Sequence, residues 1–330
     1  MTDELVALSD VLARADEQLV SGNSAAPRTW PVGFSPLDTY LGGGVRAGEL
    51  VLVGGPQGLG KTTWVLQAMR NVVNGGGAGI YFSFEHDEQT ILERLVALES
   101  AALEKEEGVP LRKVREAMQA LDGSRGSLRD RLVDTPGAVA ALDAIAGYDD
   151  RFQVHRSSGR TTTIDIIRQV VLKAAETEPP LVVVDYLQKV NVDGDEVEEE
   201  RVTRIVEGLK DLALEAGVPV LAVVAADKEG LNAGKRLRVH HLRGSSALAY
   251  EADVVLLLND KYDVVARHHL VYDTGSAERF RAWAVMSIEK NRSGLDKIDM
   301  EFAKRFEQGR FDPEGRLVGE QLMDERIYVE

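Results

Sequence analysis

Cysteine is absent from the 330 residues, which excludes disulfides, cysteine-ligated zinc and thiol nucleophiles together. Long apolar runs are missing too. Nothing approaches the roughly eighteen consecutive apolar residues of a membrane span. The start, Met1-Thr2-Asp3-Glu4, is acidic and has no apolar signal core, so secretion is not expected. The six histidines lack the spacing of a metal site, and the pairs His240-His241 and His268-His269 read as ordinary surface or loop residues. What remains is 44% hydrophobic and 28% charged, the balance of a soluble globular protein with ample material for a core. A cytoplasmic enzyme without a membrane partner is the expected class. The formal charge of −15 gives no general attraction to nucleic acid, although a local basic channel is compatible with an acidic body.

One stretch organises the chain: Gly54-Gly55-Pro56-Gln57-Gly58-Leu59-Gly60-Lys61-Thr62-Thr63. The apolar run Leu50–Val53 precedes it and the helical pattern Trp64–Met69 follows, giving strand, glycine-rich turn, helix. From Gly55 the spacing satisfies G-x-x-x-x-G-K-S/T at every fixed position. Residues 55–63 (Gly55, Pro56, Gln57, Gly58, Leu59, Gly60, Lys61, Thr62, Thr63) therefore form the expected ATP-binding loop. Its glycines let backbone N–H groups wrap phosphate oxygens, and the helix adds its positive end beneath them. Lys61 is placed for the β- and γ-phosphates and the Thr62 hydroxyl for Mg²⁺. A glycine turn joining any strand to any helix is the bland alternative, and the flanking context argues against it.

The other elements fall in order around this loop. Leu5, Leu8, Leu12, Ala15 and Leu19 make one narrow apolar stripe on a helix over 3–20, followed by a Ser/Gly/Pro linker. Such a stripe either packs on its own domain or docks on another subunit. The buried-type strand Ile80–Phe84, expected beside the loop-bearing strand, ends at Glu85, a candidate general base for an attacking water. Helices are expected over 111–121, 138–146 and 162–175, and a strand over 151–155. Leu181-Val182-Val183-Val184-Asp185 is an apolar strand tipped by a carboxylate, the pattern that holds Mg²⁺ downstream of a phosphate loop. An acidic run, Asp193 to Glu200, opens a helix over 201–216, and strands follow over 218–225 and 253–258. Lys235, Arg236, Arg238 and Arg243 form a basic loop, either a solvated feature or a contact for a nucleic-acid backbone. Antiparallel strands are expected over 268–273, 281–289 and 297–302. The turn Lys290-Asn291-Arg292-Ser293-Gly294 reads as a hairpin with solubilising cations, or as a cationic finger aimed at a phosphate across a subunit boundary.

With these residues in hand, the chain resembles the RecA-type motor domain of the DnaB replicative helicases from about Gly33 to Phe311. The landmarks are Gly33-Phe34 to Gly44, the phosphate loop, Phe82-Ser83-Phe84-Glu85 and Asp185-Tyr186-Leu187-Gln188. Leu209-Lys210 to Val220, Leu242-Arg243-Gly244-Ser245-Ser246-Ala247-Leu248 to Asp253, and Lys290 to Gly294 complete the set. The last turn is also similar to RadA and the general layout to KaiC. The resemblance implies that Lys61 and Thr62 bind phosphate and Mg²⁺, Glu85 activates water, and Asp185 supports the metal. It implies that Lys290 and Arg292 reach the nucleotide of a neighbouring subunit. It also implies a six-membered ring threading single-stranded DNA, with a helix ahead of the motor clasping the next subunit.

Three departures stand out. Only about thirty residues precede the similar region, so contacts made through the family's large N-terminal domain are not carried over. The fourth strand ends Ala225-Ala226-Asp227, where the family places a polar γ-phosphate sensor, and a methyl group makes no hydrogen bond. The loop after Gln188 is acidic, where a DNA-tracking loop prefers neutral or basic residues.

The expected architecture is an α/β RecA-like P-loop NTPase. It has a central, mostly parallel sheet flanked by helices and a C-terminal antiparallel extension. Residues 1–30 form an N-terminal amphipathic helix and linker, and 31–330 the ATPase domain. The expected function is Mg²⁺-dependent ATP hydrolysis in a DnaB-like homo-oligomeric ring, a hexamer, coupled to single-stranded DNA. The alternative is a nucleotide-switched assembly or regulatory ATPase that recruits a protein partner without unwinding DNA.

Overall fold

The computed structural model describes residues 5–104, 108–119, 123, 125–192, 194, 197–230, 234–266, 268–271 and 274–325. The strands, in chain order, are β1 (Thr29–Trp30), β2 (Val45–Arg46), β3 (Leu50–Gly55), β4 (Gly79–Ser83), β5 (Phe152–Arg156) and β6 (Leu181–Asp185). There follow β7 (Val220–Ala225), β8 (Val254–Asp260), β9 (Trp283–Asn291), β10 (Ile298–Arg305), β11 (Arg310–Phe311) and β12 (Arg316–Leu317). β1 and β2 form a small ribbon ahead of the main sheet, whose order is β11-β10-β9-β8-β3-β7-β6-β4-β5, with β12 on β10.

The six strands from β5 to β8 in that order are parallel. Their sequences are unbroken apolar runs, such as Leu50–Val53 and Leu181–Val184, because both faces are covered. Side chains alternate between the faces with period two. Val51, Val53, Val183 and Leu221 join Trp64, Val65 and Met69 of the phosphate-loop helix on one side. Leu50, Leu52, Val182 and Val220 meet Ile205, Val206 and Leu209 of the helix Glu198–Ala216 on the other. The antiparallel extension is β8, β9, β10 and β11.

β4 does not lie beside β3 as expected from the sequence. Both edges of β3 are taken, by β7 and by β8, so the chain crosses β7 and β6 before β4 can pair. The carboxyl ends of β3, β7, β6 and β4 therefore line up along one crevice, the place where open α/β sheets take ligands.

The strand expected over 268–273 is also corrected in its described part, while Tyr272 and Asp273 lie outside the described residues. His268–Val271 is a short helix, and the helix Thr274–Arg281 follows. β8, the strand just before this segment, already pairs with β3 and β9, so neither of its own edges is open to it. His241, expected on the surface, is 2% exposed, and its Nδ1 accepts the Arg238 backbone N–H at 3.0 Å. The acidic run opens its helix earlier than expected, with Glu198, Glu199 and Glu200 in the first turn beside the positive dipole end. Asp193, Asp195 and Glu196 lie outside the described residues.

The first helix is Leu8–Val20, and none of its residues is buried. Leu8, Leu12 and Leu19 are 81%, 62% and 61% exposed, so the apolar stripe has no partner within the described chain. Among the described residues no helix is long and apolar enough to cross a membrane. The inserted helices Glu88–Glu104, Leu111–Gln119 and Ala138–Ala146 enclose a satellite core of Val96, Val109, Val114 and Ala138. It is tied to the body through buried Glu99, which accepts from Arg70 Nε at 2.5 Å and Tyr148 Oη at 2.7 Å.

The extension is fastened to the phosphate-loop helix by one amide. Gln67 Nε2 donates to the Phe311 carbonyl at 3.0 Å, and the Phe311 N–H donates to Gln67 Oε1 at 2.8 Å. Gln67→Leu leaves both buried backbone groups unpaired, at about 1–3 kcal/mol each. Urea unfolding of this variant is expected to show a lower midpoint with an unchanged slope, and an unchanged midpoint would contradict the assigned fastening.

Candidate nucleotide site

The phosphate loop closes β3 and leads into the helix Lys61–Asn74. Gly60 caps that helix at φ +88°, and a Cβ there would meet the Phe306 ring at 2.8 Å. Gly58 also has positive φ, but a Cβ on it meets nothing within 4 Å, so it is constrained by backbone conformation alone. Pro56 and Leu59 do not line the cavity: Pro56 offers its carbonyl to Lys61, and Leu59 is buried beneath the loop.

Above the loop opens a cavity of about 600 Å³, within the range of small-ligand sites. Gly55, Gln57, Gly58, Gly60, Lys61, Thr62 and Thr63 line it from β3 and its helix. Glu85, His86, Asp185, Tyr186, Ala225 and Ala226 line it from the tips of β4, β6 and β7. A cavity of about 530 Å³ lies at the opposite ends of the strands, lined by Arg151, Lys173 and Glu178. It contains no phosphate-loop residue.

Lys61 folds back over its own loop, its Nζ donating to the carbonyls of Gly55 at 2.8 Å and Pro56 at 3.0 Å. Burial lowers its pKa, against the pull of the Asp185 and Glu85 carboxylates. Asp185 is 2% exposed and accepts the Tyr81 hydroxyl at 2.7 Å. Burial first, and Asp185 second, push the Tyr81 hydroxyl well above its ordinary pKa, so it remains a donor. Glu85 is exposed on the cavity wall. His86 beside it has its pKa lowered by burial and then by Arg94.

Lys290 and Arg292 are not part of this cavity. Lys290 Nζ donates to the carbonyls of Ala249 at 2.7 Å and Tyr250 at 3.1 Å. Arg292 pairs with Asp253 at 3.4 Å and donates to the Tyr250 carbonyl. Both cations thus sit at the end of the short helix Ala247–Glu251.

The basic loop is not a free cationic surface. Lys235 is paired with Glu229. Arg236 is turned inward, 6% exposed, bonded to Ser287 at 3.0 Å and paired with Asp299. Arg238 meets Glu289 at 2.7 Å and donates from Nε to Asp324 at 2.9 Å. Arg243 meets Glu198 at 2.8 Å and lines the cavity beside the phosphate loop.

Sequence reasoning did not place four of the side chains around the pocket. Arg94, from the helix Glu88–Glu104, lines it with no hydrogen bond or ion pair of its own among the described residues. Charge alone reads that residue as surface. Phe306 arrives from the far end of the chain and has no local signal. Tyr81 and Arg243 were visible, one as a core aromatic and one as a loop cation, without the neighbour that defines each.

Sheet order, loop and pocket together define a P-loop NTPase of RecA-like fold. The chain belongs to the family described as DnaB-like helicase C terminal domain, whose model matches residues 30–311. In three dimensions it is similar to a solved ATPase domain, with TM-score 0.72 at 20% identity over 93% of this chain and 99% of that one. It is similar to a DnaB-like replicative helicase studied for its interactions with primase, with TM-score 0.68 at 19% identity over 94% of this chain and 67% of that one. RecA of Pseudarthrobacter chlorophenolicus is 26% identical over 196 residues, 57% of this chain and 55% of that protein. The DNA repair protein RadA of Mycolicibacterium smegmatis is 36% identical over 67 residues, 20% of this chain and 14% of that protein. The chain spans about half the length of the RecA relatives it matches first.

The lowered pKa of Lys61 carries a consequence for the nucleotide-free protein. Between that pKa and the higher unfolded value the native state binds fewer protons than the unfolded chain, so stability rises with pH across the window. Lys61→Met removes the desolvated charge. It is expected to raise the urea midpoint at pH 7, with the gain shrinking toward pH 10. Since the variant also takes the donor from the Gly55 and Pro56 carbonyls, the pH dependence is the test: a difference from the parent that is the same at pH 7 and pH 10 would contradict the burial assigned to Lys61.

Proposed function

We propose that this chain is a Mg²⁺-dependent ATPase subunit of a homo-oligomeric ring, a hexamer, that couples hydrolysis to binding and translocation on single-stranded DNA. The observation that carries the reading is an incomplete pocket. Lys61, Glu85 and Asp185 converge in it, while Lys290 and Arg292 are held elsewhere. Lys61, now on two loop carbonyls, transfers its donors to the β- and γ-phosphates, and the backbone N–H groups of residues 55–63 take the remaining oxygens. Glu85, exposed at the wall, accepts the proton of the attacking water.

Thr62 and Asp185 are hard oxygen donors. Among the described residues no group of three or more His, Cys, Asp or Glu side chains is placed to hold a metal. That set fits Mg²⁺, which is usually held by one or two carboxylates plus phosphates and water rather than by a protein cage. When bound, the ion supplies charge neutralisation on the phosphate oxygens. Lys290 and Arg292 of one subunit reach the nucleotide of the next and offset charge on the transferring phosphoryl. The unpartnered stripe of Leu8–Val20 supports an inter-subunit clasp formed by residues 1–30 against a neighbour's 31–330 domain. Lys235 and Arg238 are the proposed DNA-backbone contacts, and Arg236 packs inside.

A second reading has its own observation. The basic loop's cations are already paired with Glu229, Asp299, Glu289, Asp324 and Glu198, which favours a nucleotide-switched assembly ATPase with a protein partner and no DNA. The steady-state MgATPase rate with and without single-stranded DNA separates the two. Stimulation of several-fold that fades with added salt is expected, since phosphate contacts release counterions. An unchanged rate, with no DNA retained, would leave the second reading.

A further inference from the structure

The tip of β7 presents only methyl groups to the cavity. Ala225 and Ala226 line it, and neither can report whether a terminal phosphate is present. Directly opposite them the chain returns. The Arg243 N–H donates to the Ala225 carbonyl at 2.9 Å, and the Asp227 N–H donates to the His241 carbonyl at 2.8 Å. Ala226 and Leu242 form an antiparallel bridge. Arg243 is thus moored to the strand end that lacks a polar side chain, and it lines the same cavity.

One buried amide fixes this mooring to the acid at the end of β6. Gln188, 7% exposed, lies in the turn that follows Asp185. Its Oε1 accepts the Ala225 N–H at 3.2 Å and its Nε2 donates to the Arg243 carbonyl at 2.9 Å. Amide oxygen to N–H and amide nitrogen to C=O is the orientation that satisfies both partners. Gln188 therefore ties the β7 tip and the Arg243 backbone to the turn that follows Asp185.

The Arg243 guanidinium is held on its outer side by Glu198 at 2.8 Å, with 55% and 41% of the two side chains exposed. An exposed pair of this kind is weak. A phosphate carrying more than one charge, reached by a forked donor, is the stronger partner.

We propose that Arg243 is the group that distinguishes nucleoside triphosphate from diphosphate in this site, by bonding the terminal phosphate in place of the side chain missing at Ala225–Ala226. Gln188 is its positioning residue, and Glu198 is the resting partner from which the guanidinium is drawn. The assignment rests on the nucleotide-site reading but not on DNA. Because Glu198 opens the helix Glu198–Ala216, exchange of the guanidinium from carboxylate to phosphate also carries the nucleotide state to that helix.

The test is equilibrium binding of ADP and of a β,γ-imido ATP analogue, with Mg²⁺ and without DNA, to the full chain. Arg243→Ala is expected to lose roughly tenfold or more in analogue affinity, the worth of one charged hydrogen bond, while ADP affinity stays within about twofold. Arg243→Lys is expected to keep part of the difference. Gln188→Leu is expected to lose the discrimination although Arg243 is intact, and Glu198→Gln to bind the analogue more tightly by removing the competitor. Equal loss of ADP and analogue in Arg243→Ala, or an unchanged ratio accompanied by weaker single-stranded DNA binding, overturns the proposal. Failure of the parent protein to bind ADP would instead overturn the nucleotide-site reading beneath it.

Discussion

Pairing along both edges of β3, combined with cover on both faces, fixes the point from which the phosphate loop springs. Leu50 to Gly55 is bonded to β7 on one side and β8 on the other, and all six residues are buried. A strand so enclosed has no freedom to shift register, because a slip of one residue would turn each core side chain to the opposite face. The left-handed glycine at position 60 then starts the helix at Lys61. The same crowding forces β4 two strands away and gathers the tips of β4, β6 and β7 around one cavity.

Electrostatics sort the remaining charges. The chain is acidic overall, with 54 acidic residues against 39 basic ones, and the cations of the basic loop are matched by carboxylates of the body. Buried Arg236 shows that these pairs are partly architectural, since a guanidinium taken from water needs a partner. The unmatched features lie elsewhere. Arg94 faces the pocket without an ion pair among the described residues, and the first helix exposes its apolar stripe. In the proposed account the helix belongs to a contact that a single chain does not contain, with a second copy of the chain.

Much of this was legible in the sequence, for identifiable reasons. The loop at 54–63 carries its own context, and aliphatic runs such as Leu181–Val184 announce strands covered on both faces. Periodicity found several of the longer helices to within a few residues, including Ile164–Ala175, and missed short ones such as Leu128–Leu132 and Ala247–Glu251. It failed at 268–271, where a short apolar alternation cannot tell strand from helix. Order within the sheet was misread for β4 because a strand sequence does not encode its neighbours. The pocket's composition was legible only in part. Glu85 and Asp185 stand at strand ends, whereas Arg94, Phe306 and the mooring of Arg243 depend on contacts between distant segments.

The central claim is that each catalytic pocket is completed by a neighbouring copy. Mixing two inactive variants tests it most directly: Glu85→Gln, which lacks the proposed base, and Arg292→Ala, which lacks the proposed finger. In a mixed ring some interfaces join an intact Glu85 pocket to an intact Arg292. The account predicts that ATP turnover, absent from either variant alone, returns on mixing and peaks near equal proportions. If each variant is inactive alone and the mixtures stay inactive at every ratio, although the two co-assemble, the pocket is not shared between subunits.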